Sequence, residues 1–376
     1  MRPVIVDDEG DNGRRSRAVA GQTAEGAVPT THRPNRRHRA ARVVLEVLVL
    51  AAAAPFVALR AGNLTKFSAT FDHLHWHWLF VSVAAEIGSI TMLSWFQHRL
   101  LRVGDLPVTV ANLLPVTMAS NAVAQSLPAG SLFAEGYAFR QYQRLGASRA
   151  LGIWAELSAG ALAAAALAGV AVAGAAVTGP ALRLQLLPIL AFVFAGALVA
   201  AALFRRAPLL ASLLGRALRG AQRLAPQGVC RLLRSAQEST REMECFRPSW
   251  GVWLTCLAGA ALNWCLDAVV LLMGLLTVGA PVPWQGFLLC YAAAQLLVEL
   301  PITPGGLGLV EGGLVVVLTR FHVAASSATA ATLMYRAVSY WFLLLVGWVA
   351  VLWLTLRNRQ ADRAASAASG PAPASA

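Results

Sequence analysis

The chain has 376 residues, of which 57% are apolar and only 13% charged, with a mean hydropathy of +0.59 and a formal net charge of +13. A soluble protein carries about a quarter charged residues, so this composition argues against a water-soluble enzyme. The positive excess sits in 1–42, 205–247 and 357–376, and every basic residue except Lys66 is Arg or His. Set beside long apolar runs, these arginines mark membrane topology and anionic-lipid contact, not nucleic acid.

A bilayer core of about 30 Å takes about 20 apolar residues per helix. Residues 1–42 are polar, with nine Arg against five acids, and read as a disordered basic cytosolic tail. The first membrane half, 43–204, opens with spans at 43–59 and 78–96. Before the second span, His73, His75 and His77 alternate without the i, i+4 spacing of a helical metal site. With Trp76 and Trp78 they read as an interfacial belt, and no metal or cofactor is expected. Region 107–140 is apolar but interrupted by Pro and Gly, and spans 150–178 and 184–204 follow it. In the linker 205–247, Leu210, Leu213, Leu214, Leu218 and Leu224 recur at helical spacing, with Arg216, Arg219 and Arg223 mostly opposite. That pattern predicts a basic amphipathic helix on the cytosolic leaflet. The second membrane half, 248–356, holds a span at 249–277, a broken region at 284–320 and a span at 329–356. Residues 357–376 end in low complexity and read as a second disordered tail.

The fold class is therefore all-α and polytopic, with about six full spans and two Pro/Gly-broken segments. Arg33, Arg36, Arg37, Arg39 and Arg42 directly precede the first span and hold that end in the cytosol of a plasma-membrane protein. Counting from there places the linker and both termini in the cytosol, provided that each broken segment returns to the side it entered. A re-entrant hairpin and a double span both satisfy that count.

The broken segments carry the densest information. Glu299-Leu-Pro301-Ile-Thr-Pro304-Gly305-Gly306-Leu-Gly308-Leu-Val-Glu311 cannot be one continuous helix. A break at bilayer depth leaves backbone groups that lipid cannot satisfy, so protein or a wet cavity must cover it. An earlier stretch is similar: Asn121, Gln125, Leu127-Pro128, Gly130, Glu135-Gly136 and Arg144 match Tyr291, Gln295, Leu300-Pro301, Gly306, Glu311-Gly312 and Arg320. On the span count the first segment opens to the cytosol and the second to the outside. Inverted repeats with broken helices meeting near the midplane are an architecture of transporters.

At these residues the chain resembles a known family. Leu127-Pro-Ala-Gly, Glu135, Arg140 and Arg144-Leu-Gly146 are similar to one of its signatures, with Ala134 where a Gly usually precedes the Glu. Leu300-Pro-x-x-Pro-Gly-Gly-x-Gly, Glu311 and Leu333-Met-Tyr-Arg336, followed by Tyr340-Trp341 and Gly347, resemble the second. The family is the transmembrane, flippase-like region of the lysylphosphatidylglycerol synthases, and the likeness covers roughly 43–356. It implies movement of a lipid or lipid-linked headgroup between leaflets. Larger members add an aminoacyl-transfer domain after the membrane part. Only about 20 residues follow the last span here, so synthase activity is not expected.

Several residues are candidates for a lipid site. Glu311 and Arg336 should face each other from adjacent helices, as a functional or a purely structural pair. Glu135, Arg140 and Arg144 form a cytosolic counterpart or an interfacial charge cluster. Gly305, Gly306 and Gly308 would start a helix whose N–H groups favour a lipid phosphate, complemented by Arg336; close packing is the alternative. Pro301, Pro304 and Glu299 belong to the same break, and Asn121 and Pro128 to the earlier one. Glu86, Glu156, Asn263 and Asp267 fall within spans, and Asn263 and Asp267 share a helix face. No HExxH, GxSxG or Walker-type motif occurs, so no enzymatic activity is expected. The reading is a protein that moves an anionic or polar-headgroup lipid, with membrane lipids as its partners. A membrane partner that recruits or stabilises a lipid-modifying or glycosyltransferase enzyme is the alternative, and a homo-oligomer is compatible with both.

Overall fold

The computed structural model describes residues 75–180 and 248–368, with scattered positions between them. Among these residues the fold is all-helical and contains no strand. Nine α-helices are described: α1 Trp76–Leu101, α2 Val110–Ser126, α3 Gly130–Arg144, α4 Arg149–Ala176, α5 Trp250–Thr277, α6 Phe287–Val298, α7 Leu309–Arg320, α8 Ala325–Arg336 and α9 Leu343–Ala368. The predicted spans 43–59 and 184–204, the tail 1–42 and the linker 205–247 lie wholly or largely outside the described residues.

Among the described residues, four stretches are long and apolar enough to cross a membrane: Trp76–Gly104, Arg149–Ala176, Trp250–Thr277 and Ala325–Ala364. They coincide with the predicted spans at 78–96, 150–178, 249–277 and 329–356. The last runs through α8, a π-helical turn at Ala337–Phe342 and α9. It extends well past the predicted boundary, because the segment from Arg357 to Ala368, read as disordered, continues the helix. Alanine, arginine and glutamine there are strong helix formers. Asp362 also accepts an ion pair from Arg144 at 3.2 Å.

Side-chain caps set several helix starts. Ser148 caps α4 by accepting from the Leu151 N–H at 3.1 Å, and Ser249 caps α5 by accepting from Val252 at 3.4 Å. Thr109 does the same for α2 through Asn112 at 3.3 Å. The two broken regions are both helical hairpins, α2–α3 and α6–α7, whose helices pack against each other. At 1.5 Å per residue, the 12-residue helices α6 and α7 each rise only about 18 Å.

The order long helix, hairpin, long helix thus occurs twice, and the packing exchanges partners between the copies. Helix α2 lies on α9, and α6 lies on α4. Gly347 of α9 and Gly174 of α4 sit at these crossings. A β-carbon at Gly347 would overlap the Met118 carbonyl, and one at Gly174 would come within 3.0 Å of Leu288 and Leu289. Lacking a side chain, each lets two backbones approach closely.

Two apolar cores lie at opposite ends of the long helices. One gathers Leu100 and Leu101 from the end of α1, Leu113 of α2, Tyr142 of α3, Leu151 from the start of α4 and Leu354 of α9. The other gathers Leu167 of α4, Leu271 and Leu275 from the end of α5, Tyr291 of α6, Leu314 and Leu318 of α7 and Tyr335 of α8. Each hairpin belongs to a different core. The hairpins therefore enter the bundle from opposite ends, and their tips meet in between. Outward-facing side chains on the long helices include Phe80, Leu254, Leu262, Leu345 and Leu352, an apolar exterior suited to lipid.

Candidate functional site

The first tip is short. Helix α2 ends at Ser126, and Leu127, Pro128 and Ala129 turn the chain into α3. Ala129 adopts the left-handed conformation at φ 52°. The second tip runs from Glu299 to Gly308 and includes a single 3₁₀ turn at Pro304–Gly306. Gly305, Gly306 and Gly308 all have positive φ, which a side chain would disfavour.

Between the tips is a cleft of about 80 Å³, room for about five water molecules. Gln125, Leu127 and Ser131 line it from the first hairpin, and Glu299, Thr303 and Gly305 from the second. Two polar atoms here are buried without a protein partner, Gln125 Oε1 and Thr303 Oγ1. Buried polar groups are normally satisfied, so this cleft suits water or a polar ligand group. The Gln125 amide donates to Asn121 Oδ1 one turn back, which leaves its oxygen for the cleft. Pro301 lines the second wall, whereas Pro128 is exposed at the tip and outside the lining.

Glu311 and Arg336 come together as their membrane location requires. Arg336 Nε donates to Glu311 Oε1 at 2.9 Å, and both side chains are only 6% exposed. The second carboxylate oxygen accepts from the Gly308 N–H at 2.6 Å. Arg336 Nη2 donates to the Gly305 carbonyl at 2.8 Å, and the guanidinium lies 4.3 Å from the centroid of the Tyr340 ring. The Tyr340 hydroxyl in turn donates to the Gln125 carbonyl at 3.2 Å. One chain of contacts therefore links α7, α8 and both tips.

This geometry changes the expected roles of the glycines and of Arg336. The Gly308 N–H, read as pointing into a cavity, is donated to Glu311. Arg336 bonds a carboxylate and a carbonyl and lies on an aromatic face, so two of its five N–H donors serve the tip. Gly306 and Gly308 lie outside the cleft lining, and only Gly305 reaches it. Pro304 opens the 3₁₀ turn, where its fixed φ favours the start.

The other candidates separate into three places. Glu135 and Arg140 are exposed on α3, and Arg144 forms a surface pair with Asp362. Glu156 lies beside the buried Tyr142 near the first core. Asp267 does not reach the cleft. It lies in a buried polar cluster where Asp267 Oδ2 accepts from the Tyr291 hydroxyl at 2.8 Å, the Tyr335 hydroxyl at 3.2 Å and the Gln295 amide. Glu86 of α1 lies beside Asp267 on the other side. Asn263, one turn earlier, donates to Ser89 Oγ at 2.7 Å.

Sequence reasoning missed Tyr291, Gln295 and Tyr335 as members of this cluster. Tyr291 and Gln295 are four residues apart in the repeated motif and share a helix face, which was the available signal.

A bundle of long apolar helices with two opposed hairpins defines a polytopic helical membrane protein. The chain belongs to the family described as the lysylphosphatidylglycerol synthase TM region, which matches residues 43–347. It is also similar to a UPF0104 membrane protein of Methanocaldococcus jannaschii, with 40% identity over 55 residues. That segment is 15% of this chain and covers only 24% of the archaeal protein.

Proposed function

We propose that the protein moves a polar-headgroup lipid between leaflets, with the headgroup passing through the cleft between the hairpin tips. The observation that carries this reading is a cleft with unpartnered Gln125 and Thr303 atoms, set among apolar helices where broken backbone meets from both ends. Family membership and the twofold exchange of packing partners support an inverted-repeat transporter architecture. A headgroup at the tips would meet the start of α3 at Gly130, which favours an anionic group, and the Glu299 carboxylate, which favours a cationic one. A zwitterionic headgroup satisfies both.

Topology follows from charge. Arg99, Arg102, Arg149, Arg357 and Arg359 gather at the end that holds the first core, where α1 and the membrane part of α9 finish and α4 begins. By the positive-inside rule this end is cytosolic. On this reading the first hairpin opens to the cytosol, the second to the opposite side, and both termini lie on the cytosolic side of the plasma membrane. Labelling single cysteines placed at 20, 225 and 365 tests this. Reaction of the linker from outside would reverse the scheme.

The test of transport uses purified protein in liposomes containing a fluorescent phospholipid and an impermeant quencher. Protein should raise the rate of label loss from the inner leaflet, and Thr303→Leu, which fills the cleft, should abolish the increase while the protein stays inserted. Wild-type movement in Thr303→Leu would remove the cleft from the path. No movement, with an enzyme co-purifying, would favour the recruiting role instead.

A further inference from the structure

The cluster lies outside the cleft lining and gathers two acids in the middle of the bundle. Glu86 is 3% exposed and Asp267 is 8% exposed. Helices α1 and α5 run antiparallel, and their register is fixed by the Ser89–Asn263 hydrogen bonds. Moving three residues back on α1 and four forward on α5 brings Glu86 and Asp267 face to face. There the two carboxyl groups lie side by side.

Two ionised carboxylates are both acceptors only, so buried side by side they are compatible only with one hydrogen between them. The remaining contacts decide which acid carries it. Asp267 Oδ2 already accepts from two tyrosine hydroxyls and an amide, the environment of an ionised carboxylate. Glu86 has no such donors, and its Oε2 is buried with no partner. The proton therefore belongs to Glu86. The ionisable groups around the pair are Tyr291 on α6 and Tyr335 and Arg336 on α8. Arg336 is the only cation among them.

We propose that Glu86 and Asp267 form a proton-binding site whose loading and release drive the lipid step. This inference rests on the transport reading above. When Glu86 releases its proton to water, two adjacent carboxylates face the field of Arg336, whose neighbour Tyr335 already bonds Asp267. That pull competes with Glu311 and the Gly305 carbonyl for the guanidinium, and losing the carbonyl loosens the second tip. Uptake of one proton restores the bond and closes the tip, so one proton enters and one leaves per cycle.

Infrared difference spectroscopy on the purified full chain reads the site directly, without any lipid. A protonated-carboxyl C=O band should appear, shift in heavy water, vanish at high pH, and be absent in Glu86→Gln. Asp267→Asn should displace the band, which guards against a variant that fails to fold. In liposomes of mixed phosphatidylethanolamine and phosphatidylglycerol, the wild-type rate should change about tenfold per pH unit beyond the titration midpoint. Glu86→Gln should lose that dependence, and an imposed pH gradient should bias the direction only in the wild type. No band that depends on Glu86 would overturn the proton site. A band with pH-independent lipid movement, or movement that follows sodium instead, would overturn the coupling. A titrating band in a protein that moves no lipid would leave the proton site standing and sink the transport reading alone.

Discussion

The two hairpins carry matching motifs but hold their tips in different ways. The first tip needs only three residues, and its acid, Glu135, is exposed. The second tip takes ten residues with three positive-φ glycines, and its acid, Glu311, is buried and bonded to Arg336 and Gly308. The matching amides differ too. Gln125 bonds locally to Asn121, whereas Gln295 reaches across helices to Asp267 and Tyr335. A longer break exposes more backbone to a medium without water, so the second tip needs a buried guanidinium to satisfy the Gly305 carbonyl and the first does not. Sequence similarity between repeats therefore marks shared shape, while the charges decide which tip is locked.

The sharpest way to break this contrast is at the lock. Glu311→Gln or Arg336→Gln should each cost about 3–5 kcal/mol, because a lone buried charge remains. The double variant should cost less than either. Thermal unfolding in one detergent reads all three, and wild-type stability in both single variants would show that the pair locks nothing. Removing Glu135 from the first hairpin should change stability by about 0.5 kcal/mol or less.

Gly305→Ala comes next. Its β-carbon would overlap the Tyr340 ring and lie 3.1 Å from the Gln125 carbonyl, at φ 53°. A loss of about 2–3 kcal/mol is expected, together with loss of lipid movement. Gly306→Ala should also be poorly tolerated, since its β-carbon would come 2.6 Å from Val310. Gly312→Ala, which meets open space, should be close to neutral.

The first tip offers the opposite sign. Ala129 holds φ 52°, so Ala129→Gly should stabilise by about 1 kcal/mol. A destabilised Ala129→Gly would mean that the first tip is under a constraint its short turn does not reveal. The smallest effect is expected at Arg144→Ala. Its pair with Asp362 is exposed on both sides, and such pairs contribute about 0–1 kcal/mol.

Much of this arrangement was legible before any coordinates. Apolar length located four described spans, and the Pro and Gly clusters located both tips. The Glu311–Arg336 pair followed from the cost of leaving either charge alone in a membrane. What could not be read was non-local register. Glu86 and Asp267 meet because Ser89 pairs with Asn263 across 174 residues of chain, and no local pattern encodes that alignment. The same holds for the contacts of Arg336: the Gly305 carbonyl and the Tyr340 ring reach it only after α8 has packed. The helical continuation beyond Arg357 was hidden by its low complexity, although its helix-forming residues were in plain view.

The shortness of the α6–α7 hairpin has a consequence for the bilayer as an insulator. A charged headgroup crossing unaided faces about 30 Å of hydrocarbon, and its self-energy stays high across the whole slab. On the proposed path, a hairpin whose arms rise about 18 Å brings hydrogen-bonding backbone into the hydrocarbon from one end, and the longer α2–α3 hairpin does so from the other. The insulating layer is thereby divided at the tips into two thinner ones, each with a polar landing at its inner surface.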